Sequence, residues 1–202
     1  MPAAVLTQKQ QKVLELLVPI VHDHQFYLAG GTALALHMGH RRSVDFDFFT
    51  AQQFDPLTIL QRLPQCEIRQ QTSGTLTVEI DSVQTSFFEF TYPLLEPLER
   101  GALVPMAHIA DIAAMKVSAI AGRGSRKDFI DLYIITQRKY SLQECLSIFA
   151  KKFRTTKTDV YHIMRSVTYF EDAEREIMPE MLIECDWESI KQFFVTEVKK
   201  LQ

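Results

Sequence analysis

Residues 28–50 read LAGGTALALHMGHRRSVDFDFFT. A diglycine, Gly30-Gly31, followed by Thr32 opens the stretch, and two aspartates, Asp45 and Asp47, sit near its end. The apolar run Phe26–Ala29 stops at the diglycine and reads as a short strand. Thr32–Met38 suits a short helix that Gly39 ends. Val44–Thr50 alternates, with Val44, Phe46 and Phe48 on one face and Asp45, Asp47 and Phe49 on the other. Aspartate is poor in strands, yet two interrupt an aromatic-rich one, so they ask for an explanation beyond exposure. Carboxylates two apart on a strand point the same way, about 6–7 Å apart along the chain. They suit magnesium (or manganese), which takes oxygen ligands and completes its shell with water and substrate phosphate. A diglycine turn heading a helix offers N–H groups and a helix dipole to a phosphate, and Thr32 can add a hydroxyl. Together these are parts for phosphoryl or nucleotidyl transfer.

Outward from this stretch, Val13, Leu14, Leu17, Ile20 and Val21 predict an amphipathic helix over about 7–24. Pro56–Leu63 reads as a helix with proline in its first turn. Glu67–Thr72, Leu76–Ile80 and Thr85–Tyr92 read as strands, with Asp81–Gln84 as a hairpin turn. Prolines 93, 97 and 105 with Gly101 mark a linker. Beyond it the pattern is helical: Ile109, Ile112, Ala113, Met115, Lys116 and Ile120 share one helix. Ser125–Asp128 and Ser141–Glu144 resemble capping boxes opening two more. Helices near 158–170 and 187–201 complete the chain.

Composition narrows the classes. The 202 residues are 47% hydrophobic and 23% charged, an ordinary globular balance. With a net charge of −3, nucleic-acid binding must be local. Cys66, Cys145 and Cys185 form no CxxC pair and read as buried free thiols of a reducing cytoplasm. No apolar run approaches the roughly 20 residues that span a bilayer, and no secretion signal is expected at the N-terminus.

The diglycine, short helix and D-x-D strand resemble the AbiEii/AbiGii toxin family, within the polymerase-β-like nucleotidyltransferases. "DIAAMKVSAIAGRGSRKDFIDLYIITQR", Asp111–Arg138, is similar to the family's later motifs: a lysine-bearing helix, a basic loop, then [RK]-D-x-x-D-L. The resemblance implies an α+β fold with a mixed β-sheet core flanked by helices over 1–104, and a helical region over 105–202 packed with it as one unit. It implies a metal-dependent transfer of a nucleoside monophosphate from an NTP to an acceptor hydroxyl, with RNA or tRNA as acceptor and an antitoxin as partner. By the same resemblance, Gly30, Gly31 and Thr32 hold phosphate, Asp45 and Asp47 hold metal, Lys116 contacts nucleotide phosphates and Asp128 serves as general base. Asp131 follows one helical turn later.

The residues speak to some of these roles directly. Lys116 lies among core positions, where a cation needs a partner or a ligand unless its stem reaches the surface. Asp128 could equally stabilise the start of its helix. Polymerase-β-like transferases bring a third carboxylate from a neighbouring strand; Glu89 is the best-placed candidate, with Glu79 and Asp81 behind it. Without one, a non-catalytic nucleotide- or partner-binding module of the same fold becomes the alternative, as does a transferase acting on a small molecule or protein. Arg41 and Arg42, just before the D-x-D strand, read as triphosphate or acceptor contacts or as a solvated turn. Arg123, Arg126 and Lys127 form a second basic cluster, and Lys151, Lys152, Arg154 and Lys157 a third. They read as an RNA-backbone surface or as solubilising charge. His37 and His40 have H-x-x-H spacing with no third ligand and read as loop structure rather than zinc. Both aromatic stretches, at 46–49 and 87–90, read as core.

Overall fold

Thr7 opens helix α1 (Gln8–Asp23) with a capping box: its hydroxyl accepts from the Gln10 N–H while Gln10 reaches back to the Thr7 backbone. The computed structural model describes residues 5–155 and 157–201, apart from the side chains of 157, 158 and 160. It divides into two compact units, residues 1–108 and 109–202.

The first unit holds β1 (Tyr27–Leu28), α2 (Gly30–Met38), β2 (Phe46–Thr50), α3 (Pro56–Leu60), β3 (Glu67–Thr72), β4 (Thr75–Ile80), β5 (Val83–Glu89), β6 (Glu99–Arg100) and β7 (Pro105–Met106). The strands form one mixed sheet in the order β3-β4-β5-β2-β1-β7-β6. Strand β2 lies antiparallel to β1 and parallel to β5, with Asp47 opposite Ser86 and Phe49 opposite Phe88. Strands β3, β4 and β5 make an antiparallel meander. The turn between β4 and β5 narrows to Asp81-Ser82, both at positive φ, as a two-residue hairpin requires. The proline-marked segment adds β7 beside β1 and β6 at the sheet edge; Pro105 is the first residue of β7, a position where its missing N–H is tolerated.

Phe46, Phe48 and Phe87 are fully buried on one sheet face, with Leu76 and Val78 beside them. Each contributes about 1.5–3 kcal/mol of apolar burial. Phe49 and Phe88, on the other face, are only partly covered, so the two aromatic stretches divide between core and rim.

The second unit is helical: α4 (Ile109–Gly122), α5 (Arg126–Arg138), α6 (Leu142–Phe153), α7 (Lys157–Ser166), α8 (Glu171–Glu174) and α9 (Trp187–Leu201). Ser141 and Glu144 form the expected capping box at α6. Ser125 precedes α5 but makes no side-chain cap hydrogen bond; its hydroxyl goes elsewhere. The chain is an α+β protein. Its three cysteines are unpaired, with Cys145 buried and Cys66 and Cys185 half-buried. Among the described residues no helix is long and apolar enough to cross a membrane.

Candidate active site

In the first unit the diglycine and the D-x-D strand are stitched together. The Ala29 N–H donates to the Asp47 carbonyl (3.0 Å). The Thr32 hydroxyl donates to the Asp45 carbonyl and lies 2.6 Å from the Ser43 hydroxyl. Gly30 begins α2 at φ +63°, and a Cβ there would fall 2.6 Å from Asp47 Oδ2. The Asp47 carboxylate therefore packs over the diglycine, a closeness only glycine permits. Asp45 and Asp47 are half-exposed while Phe46 and Phe48 between and after them are buried, as the alternation predicts.

Thr32 does not keep its hydroxyl for a phosphate. Its single proton is committed to the Asp45 carbonyl, so it braces the strand against the helix. What remains for an anion is backbone N–H at the head of α2. Arg42 is exposed just before β2, while Arg41 is buried and donates to the Arg42 carbonyl (3.0 Å).

Glu89 does not join the pair. Opposite residues of neighbouring strands share a face, and Glu89 stands opposite Thr50, on the face away from Asp47. Its carboxylate lies over Gly74, and it lines a cleft of about 750 Å³ with Phe54, Asp55 and Gln71. Ser86 occupies the position across from Asp47, with its hydroxyl accepting from Thr77 (3.1 Å). Glu79 shares the carboxylate face but is two strands away and paired to Arg69 at 2.7 Å. Among the described residues no three of His, Cys, Asp and Glu gather as a metal-holding group. A two-carboxylate site still suits magnesium or manganese. Both donors are hard oxygens, Asp47 on β2 and Asp45 on the residue just before it, since the strand begins at Phe46 rather than at Val44, and the other positions are left to water and phosphate.

In the second unit the cation among core positions finds two carboxylates. Lys116 Nζ lies 2.8 Å from Asp128 Oδ1 and 2.6 Å from Asp131 Oδ2. Both carboxylates are fully buried. The i, i+3 spacing of Asp128 and Asp131 puts them on one face of α5, toward Lys116 on α4. Asp128 accepts further hydrogen bonds from Arg123 Nε (2.8 Å), Arg123 Nη2 (3.1 Å) and the Ser125 hydroxyl (2.7 Å). Burial alone would push the Asp128 carboxyl up; the Lys116 charge and the Arg123 guanidinium outweigh it and hold the group well below the usual carboxylate range.

The remaining basic residues separate by role. Arg126 donates to the Ala173 and Glu174 carbonyls (2.9 and 3.1 Å) and sits over the Trp187 ring, so it fastens α8 and α9 to α5. Lys127 is exposed. Of the third cluster, Lys152 is fully buried on Asp111 (2.6 Å), a pair the sequence did not announce. Lys151 and Arg154 are exposed, and the Lys157 side chain lies outside the described residues. His37 holds the Ala107 carbonyl (3.0 Å), a structural role.

A mixed sheet with a diglycine-headed helix braced to a D-x-D strand defines the nucleotidyltransferase class. The family model described as "Nucleotidyl transferase AbiEii toxin, Type IV TA system" matches residues 12–93 and 65–202. The chain belongs to this AbiEii family. It is 39% identical over 203 residues to the uncharacterized protein aq_aa25 of Aquifex aeolicus (strain VF5), covering 96% of this chain and 97% of that one. Solved structures agree in fold. MenT4, the nucleotidyltransferase toxin Rv2826c of Mycobacterium tuberculosis H37Rv, superposes with a TM-score of 0.58 at 14% identity, over 95% of this chain and 83% of its own. JHP933 of Helicobacter pylori gives 0.56 at 15% identity, over 98% and 93%.

Proposed function

We propose that this chain is a metal-dependent nucleotidyltransferase that moves a nucleoside monophosphate from an NTP to an acceptor hydroxyl on RNA, with tRNA the leading candidate. It would act in the cytoplasm as the toxin of a toxin–antitoxin or phage-defence pair, with an antitoxin as partner. The observation that carries the reading is the Asp47 carboxylate packed over Gly30, which joins a phosphate-holding turn to a metal-holding strand. Asp45 and Asp47 would hold the cation, which when bound neutralises phosphate charge and orients the α-phosphate for in-line attack. The N–H groups at the head of α2 receive a phosphate of the nucleotide, and Thr32 keeps Asp45 in register with them. The acceptor oxygen bonds the α-phosphorus, its proton passes to a base, and pyrophosphate leaves. Membership of the AbiEii toxin family supports nucleotidyl transfer by a toxin, and the choice of RNA as acceptor rests on analogy.

A second reading has one observation behind it: Ser86 stands where a neighbouring strand would supply a third carboxylate, which favours a nucleotide-binding module without transfer. The test is incubation with each α-labelled NTP, magnesium and total tRNA, beside Asp45→Ala/Asp47→Ala. Label on RNA with the wild type alone is expected. Pyrophosphate without labelled RNA moves the acceptor to a protein or small molecule, and nucleotide binding with neither product supports the second reading.

A further inference from the structure

We infer that Asp128 is a positioning residue rather than the proton acceptor, and that it holds Arg123 ready to bind a polyphosphate. The inference rests on the nucleotidyltransferase reading and assigns roles within it.

Three residues direct four donor contacts at the Asp128 carboxylate: Lys116 on Oδ1, Ser125 on Oδ2, and Arg123 on both. A carboxylate has about four lone-pair sites, so these donors occupy its capacity. A general base must instead be within reach of the proton it takes, with an affinity near the working pH. Burial seals Asp128 further, since its side chain is 0% exposed.

Arg123 is the complement. Its side chain is 62% exposed, yet its guanidinium is bonded through Nε and Nη2 to a fully buried carboxylate. An exposed arginine ordinarily gains little from a surface pair, because holding its long side chain in one geometry costs entropy. Here the fork is fixed in a bidentate pose, which orders the plane before any ligand arrives. Gly124, at φ +56°, follows directly and turns the chain so that Ser125 can complete the clamp. Arg123 and Lys116 thus place two positive charges on a single carboxylate, and Asp131 supplies the second negative charge for Lys116. Lys116 is buried and spent on the two aspartates, so the cation offered outward is the Arg123 guanidinium alone, whose fixed plane suits a phosphate oxygen of a polyphosphate.

The probe is inorganic tripolyphosphate with the full-length protein, because its binding does not depend on which base the enzyme selects. Calorimetry is expected to show Arg123→Gln weakening binding about tenfold, alongside a lower melting temperature from the two hydrogen bonds withdrawn from Asp128 while Lys116 and Ser125 keep it paired. Arg123→Lys keeps the charge but loses the fork, and is expected to recover only part of the affinity. Asp128→Asn is expected to weaken tripolyphosphate binding, with little added loss in the Asp128→Asn/Arg123→Gln double variant, because one clamp serves both residues. Should Asp128→Asn fail to fold, the two Arg123 variants decide the matter. Asp128→Asn that binds tripolyphosphate like the wild type but loses turnover would identify a proton acceptor and overturn the inference. Arg123→Gln that binds like the wild type would overturn it as well. Wild-type protein that binds neither tripolyphosphate nor any NTP would defeat the nucleotidyltransferase reading itself, a result separate from either variant's behaviour.

Discussion

Gly30 shows how much one missing Cβ decides. Its left-handed φ costs an L-residue about 1–2 kcal/mol, and any side chain would collide with Asp47 Oδ2. Gly30→Ala is therefore expected to lower the melting temperature and to weaken manganese binding, measured by electron paramagnetic resonance. Unchanged manganese affinity would mean Asp47 is not a ligand. Asp128 carries a pH signature. Its folded-state proton affinity is depressed, so its contribution is fully present above the unfolded carboxyl value of about 4. That contribution fades as pH falls further, toward the folded value. Urea midpoints of the wild type should thus drop on acidification below about pH 4 more steeply than those of Asp128→Asn; parallel curves would sink this account. At this scale the sequence shows the chemistry-bearing residues but not their commitments. Lys116 stands out as a cation needing a partner, and the D-x-x-D spacing already puts two acids on one helix face. Nothing in the sequence says that Ser125 donates to Asp128 rather than capping its helix, or that Thr32 spends its proton on a carbonyl.

Among the elements, period and punctuation reveal most of the secondary structure. Helices α1 and α4 follow apolar spacing, α2 ends at its glycine, α5 and α6 open at serine-led stretches, and β4 follows strict alternation. Strands β6 and β7 are hidden because two-residue strands have no period and the prolines around them read as linker. Register is hidden as well, and register removes Glu89 from the site: one position along β5 changes the face. Ser86→Asp puts a third carboxylate opposite Asp47, and is expected to tighten manganese binding about tenfold by titration if the cation sits on this face. The Lys152–Asp111 pair joins α6 to α4 with both groups out of water. Lys152→Met should cost about 3–5 kcal/mol in urea unfolding, because it leaves a buried carboxylate unpaired. Replacing both members, as in Asp111→Leu/Lys152→Met, should recover much of that loss.

At the scale of the molecule, the proposed transfer would depend on a cation held by Asp45 and Asp47. Chelation with EDTA is expected to abolish label transfer, and added manganese or magnesium to restore it while the circular dichroism spectrum stays constant. Transfer that survives chelation would remove the cation from the reaction. The sheet order also sets a timetable for synthesis. Strand β2, which carries Asp47 and follows Asp45 directly, can pair with β1 as soon as it is made, but its other flank waits for β5, and the intervening chain must be translated first. Long-range parallel pairing of this sort forms late. A ribosome carrying an unfinished chain therefore carries Asp47 on a strand paired along one flank only, and that aspartate gains its lasting setting once the later strands have emerged.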